Sequence, residues 1–127
     1  MRAALAVALL AGGLTACDPP PTNKDVTARQ TNFKAIGDAF KIVTDQVKTG
    51  QPDLDKVRPA ATELVTRVGQ IKDHFPVGSG PESGAKTKAK AAIWTNTGEF
   101  EKDRSAAVDA VADLDAAASA GDLAALS

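Results

Sequence analysis

The sequence predicts an all-α protein in which long amphipathic helices pack side by side as an antiparallel bundle. Apolar residues recur at alternating spacings of three and four over several segments, which is the period of a helix buried on one side. Aromatic residues make up only 4% of the 127 residues while alanine is abundant, and this composition favours helices over sheet. A hydrophobic content of 43% with 24% charge fits one small domain.

The first residues have the features of a bacterial lipoprotein signal peptide. Arg2 supplies a positive charge, residues 3–11 form an apolar run, and Leu14-Thr15-Ala16-Cys17 resembles a lipobox, where lipoproteins are cleaved before a lipidated cysteine. The apolar run is too short to persist as a membrane-spanning helix. We therefore predict that residues 1–16 are a signal peptide and that Cys17 carries lipid. The alternative is that Cys17 is an ordinary thiol.

Lipidation would place the protein on a membrane surface. Cys17 is the sole cysteine, so an internal disulfide is excluded, and acyl chains on it would act as an anchor. Residues 17–24 contain a run of prolines and are predicted to be an extended linker. Asp18 follows Cys17 directly, as in the signal that retains lipoproteins at the inner membrane of enteric bacteria. We predict a periplasmic, membrane-anchored protein, at the inner membrane on the evidence of Asp18.

The first helix is predicted to begin near Asp25 or Thr27, either of which could cap it, and to run to about Lys48, before Gly50. Gly37 within it predicts the close approach of a neighbour, either a packed segment or a cofactor. The apolar stripe predicted for this helix consists of Phe33, Ile36, Phe40, Val43 and Val47.

A second helix is predicted after Asp53, a good cap, and ends before Pro76. Pro59 has two interpretations: regular hydrogen bonding starts only around it, or the helix bends there. The predicted apolar stripe consists of Leu54, Val57, Ala61, Leu64, Val68, Ile71 and Phe75.

The loop at residues 77–83 is predicted to be pinned in place, because Phe75 precedes it and Trp94 and Phe100 follow it. Residues 85–94 are predicted to form a short helical turn. The lysines on its solvent side would be Lys86, Lys88 and Lys90.

The third long helix is predicted from Thr97 to Ser119, with Gly121 as its C-terminal stop. Asp122 then caps a further helix, whose first apolar step is Leu123 and Leu126. The residues predicted to be buried by the third long helix are Phe100, Ala107, Val111, Leu114 and Ala118.

Few residues of the sequence are candidates for catalysis or metal binding. His74, the only histidine, has no cysteine or second histidine nearby, so we interpret it as a surface residue rather than a metal ligand or base. Asp109, Asp113 and Asp115 are interpreted as a charged outer face rather than a metal site. No phosphate-binding loop and no basic block is present. We predict that the protein is not an enzyme and binds no nucleic acid.

Two stretches resemble the cytochromes c′, four-helix haem proteins of bacterial periplasms. Residues 75–102, FPVGSGPESGAKTKAKAAIWTNTGEFEK, combine Phe-Pro, a glycine-rich bend, Lys-Ala-Lys, Ile-Trp and a later Phe, as that family does. Residues 29–33, Arg-Gln-Thr-Asn-Phe, resemble the family's Arg-Gln-x-x-apolar start of the first helix. The resemblance implies an antiparallel up-and-down four-helix bundle over residues 25–127, with only the first turns of the fourth helix present.

The resemblance also implies a site. In the family the arginine and glutamine lie near the haem propionates and the apolar residue covers the distal iron face. Arg29 and Gln30 would therefore bind propionates, Phe33 would be the distal lid, and Thr87 and Lys88 would approach the haem edge. The implied cofactor is haem c and the implied function is electron transfer or small-gas binding, with a redox protein and a second copy of the chain as candidate partners.

One part of the family's pattern is absent. Members carry Cys-x-x-Cys-His on the fourth helix, which attaches haem c and ligates its iron, and no such motif occurs here. Cys17 cannot replace it if it carries lipid. The misplaced His74 and the lack of methionine after residue 1 also disfavour a non-covalent b-type site. Two hypotheses remain: a membrane-tethered cytochrome c′-type chain truncated in nature or in its gene model, or a haem-free helical lipoprotein that serves as an interaction or structural module.

Overall fold

A computed structural model describes residues 23–126, and all of their regular structure is helical. The α-helices are α1 (Lys24–Lys48), α2 (Leu54–Gly69), the short α3 (Ala92–Thr95) and α4 (Thr97–Ala120). Two 3₁₀ segments, Gln70–His74 and Pro81–Ser83, lie between α2 and α3. The predicted all-α bundle is therefore confirmed. None of the helices between residues 23 and 126 combines the length and hydropathy needed to span a bilayer.

Helix α1 begins one residue earlier than expected, because its cap is Asn23. The Asn23 side-chain oxygen accepts hydrogen bonds from the backbone N–H groups of Asp25, at 2.9 Å, and Val26, at 3.2 Å. Asparagine caps a helix as well as aspartate does, so the choice of Asp25 or Thr27 as the cap is wrong. The end at Lys48 is confirmed, and Gly50 follows with a positive φ of 74°.

Helix α2 begins where the sequence predicted. The Asp53 carboxylate accepts from the N–H of Asp55 at 3.0 Å, and the Asp53 carbonyl accepts from the N–H of Val57 at 3.0 Å. Pro59 lies inside a helix that is hydrogen-bonded from its first turn, so the interpretation that bonding starts only around Pro59 is wrong. After Gly69 the chain tightens into a 3₁₀ segment before Pro76, which stops it as predicted.

Helix α2 lies in the middle of the bundle. It packs against α1 on one side and α4 on the other, whereas α1 and α4 have almost no close approach of their backbones. Two hydrogen bonds join α2 to α4: Arg58 Nε donates to the carbonyl of Ala118 at 3.0 Å, and Thr62 Oγ1 donates to Asp115 Oδ1 at 3.0 Å. The buried core consists of Ala39, Val43, Val57, Ala60, Ala61, Leu64, Ala118 and Leu126.

The buried stripe of α1 differs from the predicted one. Phe33 is 44% exposed and Phe40 is 57% exposed, while Arg29 and Asn32 are buried. The buried face of α1 keeps Val43 of the predicted stripe, and its other buried residues are Val26, Arg29, Asn32 and Ala39. No atom lies within 4 Å of the Cβ position of Gly37, so the expected close neighbour is not found among the described residues.

Helix α4 has the predicted bounds to within one residue, and Gly121 ends it with φ of 70°, a left-handed conformation that suits glycine. Only Ala118 of its predicted stripe is buried, whereas Phe100, Ala107, Val111 and Leu114 are half-buried. Asp122 Oδ1 accepts from the N–H of Ala125 at 3.1 Å, so Asp122 caps a segment as predicted. That segment is a turn over residues 123–126 rather than the predicted start of a helix, within the part of the chain that the structure describes. The helical turn predicted over residues 85–94 is wrong for its first part, because helix forms only at Ala92–Thr95.

Candidate functional site

The loop between α2 and α3 is fixed by Trp94. Its indole Nε1–H donates to the carbonyls of Phe75, at 3.0 Å, and Pro76, at 3.1 Å. The Phe75 ring centroid lies 5.9 Å from that of Trp94, 4.8 Å from that of Phe100 and 6.2 Å from that of Phe33. These are attractive aromatic distances, so the prediction of a pinned loop is confirmed.

Gly80 lets the loop approach the indole. A Cβ on this residue would lie 2.9 Å from Trp94 Cζ3 and closer still to Glu82 Oε2. Such a Cβ would displace the ring or the carboxylate. The close approach therefore requires glycine at this position.

Arg29 is the centre of the site's hydrogen bonding, although it is only 4% exposed. Its Nη1 donates to the His74 carbonyl at 3.0 Å and to Ser79 Oγ at 3.1 Å. Its Nη2 donates to the Ser79 carbonyl at 2.8 Å and to Thr87 Oγ1 at 3.0 Å. Four of the five guanidinium N–H groups thus hold the loop against α1.

The Arg29 charge is stabilised by rings and carbonyls rather than by an ion pair. Its Cζ lies 4.8 Å from the Phe75 centroid and 5.8 Å from the Trp94 centroid, within cation–π range. None of the ion pairs among the described residues includes Arg29. Burial lowers the pKa of Arg29 and the charge of Asp25 raises it. An arginine remains ionised at neutral pH nonetheless, so a positive charge lies beneath the loop.

Gln30 joins the loop to α1, and Ser79 forms a hydrogen bond within the loop. Gln30 Nε2 donates to the Lys86 carbonyl at 2.9 Å. Ser79 is fully buried, and its Oγ donates to the Pro76 carbonyl at 2.8 Å. Sequence reasoning missed Ser79, because a serine inside a polar loop carries no signal of burial.

A cleft of about 940 Å³ opens between α1, this loop and α3. All five residues predicted from the family resemblance, Arg29, Gln30, Phe33, Thr87 and Lys88, line it. The remaining lining residues are Lys34, Phe75, Lys86, Ala89 and Ile93. The site is therefore a cleft with an aromatic and aliphatic surface and only cations among its charged side chains. The roles assigned to the five residues stay predictions.

His74 lies away from this cleft, in a smaller one of about 430 Å³ that Asn32, Arg67 and Asp73 also line. It is half-buried rather than on the surface, because the end of the 3₁₀ segment packs near α1. No group of three or more His, Cys, Asp or Glu side chains in residues 23–126 could hold a metal ion.

The sequence matches the cytochrome c′ family over residues 24–127. The chain belongs to the cytochrome c′ family. It is 33% identical over 99 residues to cytochrome c′ of Pararhodospirillum photometricum, and this match covers 78% of each chain. No solved structure gives a significant match.

The residues that line the cleft of about 940 Å³ suit the ring and carboxylates of a haem but not its iron. The volume of the cleft lies in the range of roughly 300–1,000 Å³ that is usual for small-molecule sites. Phe33, Phe75 and Ile93 suit a porphyrin face, while Lys86 and Lys88 suit carboxylates. Among residues 23–126, no histidine, cysteine or methionine lines the cleft. The residues described therefore fit the ring and its propionates but offer no usual ligand for iron and no thiol for attachment.

Proposed function

We propose that the protein is a cytochrome c′-type haem protein that transfers electrons or binds a small gas at the membrane face of the periplasm. The observation that carries this proposal is the convergence on one cleft of Arg29, Gln30, Phe33, Thr87 and Lys88 in a chain of this family. Family members are generally not enzymes, and the proposal includes no catalytic residue. Haem, when bound, supplies an iron that changes oxidation state or accepts a gas.

The chain's own residues would orient the group. Phe33 is 44% exposed at the cleft and makes an edge contact with Phe75, so its ring would cover one face of a porphyrin and hinder large ligands. Lys88, on the cleft wall, would meet a propionate. Arg29 and Gln30 would act on the propionate side mainly through the loop, because the hydrogen bonds described above already engage them.

The proposed location depends on the N-terminal segment, which lies outside the described residues. Members of the family are periplasmic, and this agrees with a signal peptide over residues 1–16. Lipid on Cys17 would add a membrane anchor, and residues 17–22 would be the linker to the domain. The predicted linker end at residue 24 is wrong, because Asn23 caps α1 and Lys24 is its first residue. A redox protein and a second copy of the chain remain proposed partners.

A second candidate function is a haem-free helical lipoprotein that serves as an interaction or structural module. It is favoured by one specific observation: the sequence has a single cysteine, so it lacks the paired cysteines that attach haem c. The exposed apolar side chains of α1, Phe33 and Phe40, would then contact a protein rather than a porphyrin.

The two functions differ in the absorption spectrum of the protein isolated from a periplasm that matures c-type cytochromes. We expect a Soret band that shifts when the reduced protein is exposed to carbon monoxide. Because the paired cysteines are lacking, we expect this haem to leave the chain on denaturing electrophoresis. A protein without a Soret band, from cells in which a control cytochrome c′ is loaded, would support the haem-free module.

A further inference from the structure

The uncompensated charge of the cleft lies at Lys86 and Lys88. In the part of the chain that the structure describes, the charged side chains that line the cleft are all cations, although the chain has a net charge of −1. Lys34 pairs with Asp38 at 2.6 Å, and Arg29 is engaged by the loop. Lys86 and Lys88 make no ion pair with the residues described. A ligand with carboxylates would therefore find two free ammonium groups at this position.

The uncharged part of the cleft suits a broad apolar body. Phe33, Phe75, Ala89 and Ile93 line it, and Phe33 leaves 44% of its surface exposed. At about 940 Å³ the cleft lies near the upper end of the usual range for small-molecule sites. A cleft of this size has room for a ring system as large as a porphyrin. The apolar surface suits a planar apolar ring, and the two cations suit two carboxylates. The ligand that fits both features is a planar apolar dicarboxylate.

None of the described residues that line the cleft is suited to bind a metal. Its hydrogen-bonding and charged groups are the guanidinium of Arg29, the amide of Gln30, the hydroxyl of Thr87 and lysine ammonium groups. The usual axial ligands of haem, histidine, methionine and cysteine, do not occur among the lining residues. Whatever these residues contribute to binding must therefore come from contacts with the ring and with the carboxylates.

We infer that this cleft recognises a tetrapyrrole through its ring face and its two carboxylates, so that it binds a metal-free porphyrin dicarboxylate non-covalently and without iron. The inference rests on the proposed function in taking a tetrapyrrole as the ligand. It goes beyond that function in making the metal dispensable. Lys86 and Lys88 are the side chains that select for carboxylates.

The test is a titration of the purified full-length protein with metal-free protoporphyrin IX, followed by porphyrin fluorescence and by quenching of Trp94, the only tryptophan. We expect saturable binding with one porphyrin per chain. The dimethyl ester, which lacks the charges, should bind about tenfold more weakly, the size expected for two exposed charge pairs. The double variant Lys86→Gln/Lys88→Gln should show the same loss, and high salt should reduce the difference.

The matched control is Lys72→Gln/Lys102→Gln, which removes two exposed lysines that do not line the cleft. Its affinity should equal that of the parent protein. Equal binding of acid and ester, or an unchanged affinity after removal of Lys86 and Lys88, would overturn the inference and indicate adhesion to apolar surface only.

Haemin is titrated in parallel to separate the two proposals. Binding of haemin without binding of the metal-free acid would overturn the inference, because the iron would then carry the affinity, and would leave the proposed function standing. Binding of neither probe would also overturn it. The proposed function would still be decided by the Soret band of the protein isolated from the periplasm.

Discussion

Arg29→Met should destabilise the protein by about 3 kcal/mol, through the loop it holds. The variant keeps an unbranched apolar stem but leaves the part-buried carbonyl of His74 and the buried carbonyl of Ser79 without their donor. An unsatisfied buried polar group costs roughly 1–3 kcal/mol. The hydroxyl of Thr87 is spared, because it still accepts from the N–H of Ala89 at 3.1 Å. The loss of a desolvated charge offsets part of the cost.

Urea unfolding followed by far-ultraviolet circular dichroism measures this effect. With a slope of roughly 1–3 kcal/mol per M for a small domain, the midpoint should fall by about 1–3 M. Arg29→Lys should lie between the parent and Arg29→Met, since an ammonium reaches fewer of the acceptors. A fall of 3 kcal/mol is a large part of the roughly 5–15 kcal/mol that stabilises a typical domain.

The matched control is Arg67→Met, the same change at a half-exposed arginine whose side chain pairs with Glu63 at 2.6 Å. An exposed pair of this kind is worth roughly 0–1 kcal/mol, so the control should lose no more than that. Equal losses in Arg29→Met and Arg67→Met would show that the four hydrogen bonds of Arg29 do not hold the loop, and would refute the reasoning.

Three further predictions concern other parts of the chain. Gly80→Ala should lower the free energy of unfolding by about 1–3 kcal/mol, because the new Cβ clashes with Trp94. Gly37→Ala should raise it by up to about 1 kcal/mol, because the new Cβ meets no atom within 4 Å. Thermal unfolding of both variants measures these changes, and equal losses in the two would contradict a specific clash at Gly80. Trp94→Phe should lose about 1–2 kcal/mol with its indole hydrogen bonds, and a urea midpoint equal to that of the parent would contradict their importance. Cys17→Ser should abolish incorporation of a radioactive fatty acid in a bacterial host, and continued labelling of the variant would disprove lipidation at that residue.

The helix ends that were predicted correctly depend on residues close together in the chain. Asp53 and Gly121 mark helix ends through hydrogen bonds within one turn, so their meaning is readable from local sequence. The burial of Arg29 was not predictable in this way, because its partners Ser79 and Thr87 lie 50 and 58 positions away. Periodicity assigned Phe33 to a core stripe, but spacing does not say which neighbour covers each side of a helix.

The five candidate site residues were found by a different route. Neither composition nor periodicity separates Arg29 or Lys88 from the other cations of the sequence. Their pattern matched a family, and the structure places them on one cleft. Motif similarity thus selected residues that line a common cleft, and their roles stay predictions. The burial of Ser79 and the hydrogen bond of Gln30 to the loop needed coordinates.

The middle position of α2 sets an order for amide hydrogen exchange. Because α1 and α4 each pack on α2 and hardly approach each other, either outer helix can open while the other two stay together. Opening of α2, in contrast, breaks its contacts with both outer helices and therefore separates the whole bundle. The amides of Val57, Ala61 and Leu64 should thus exchange at the rate of global unfolding, and those of α4, where Ala118 alone is buried, should exchange by a smaller, faster opening. The protein would then have two levels of protection within one domain, with α2 as its slow-exchange core.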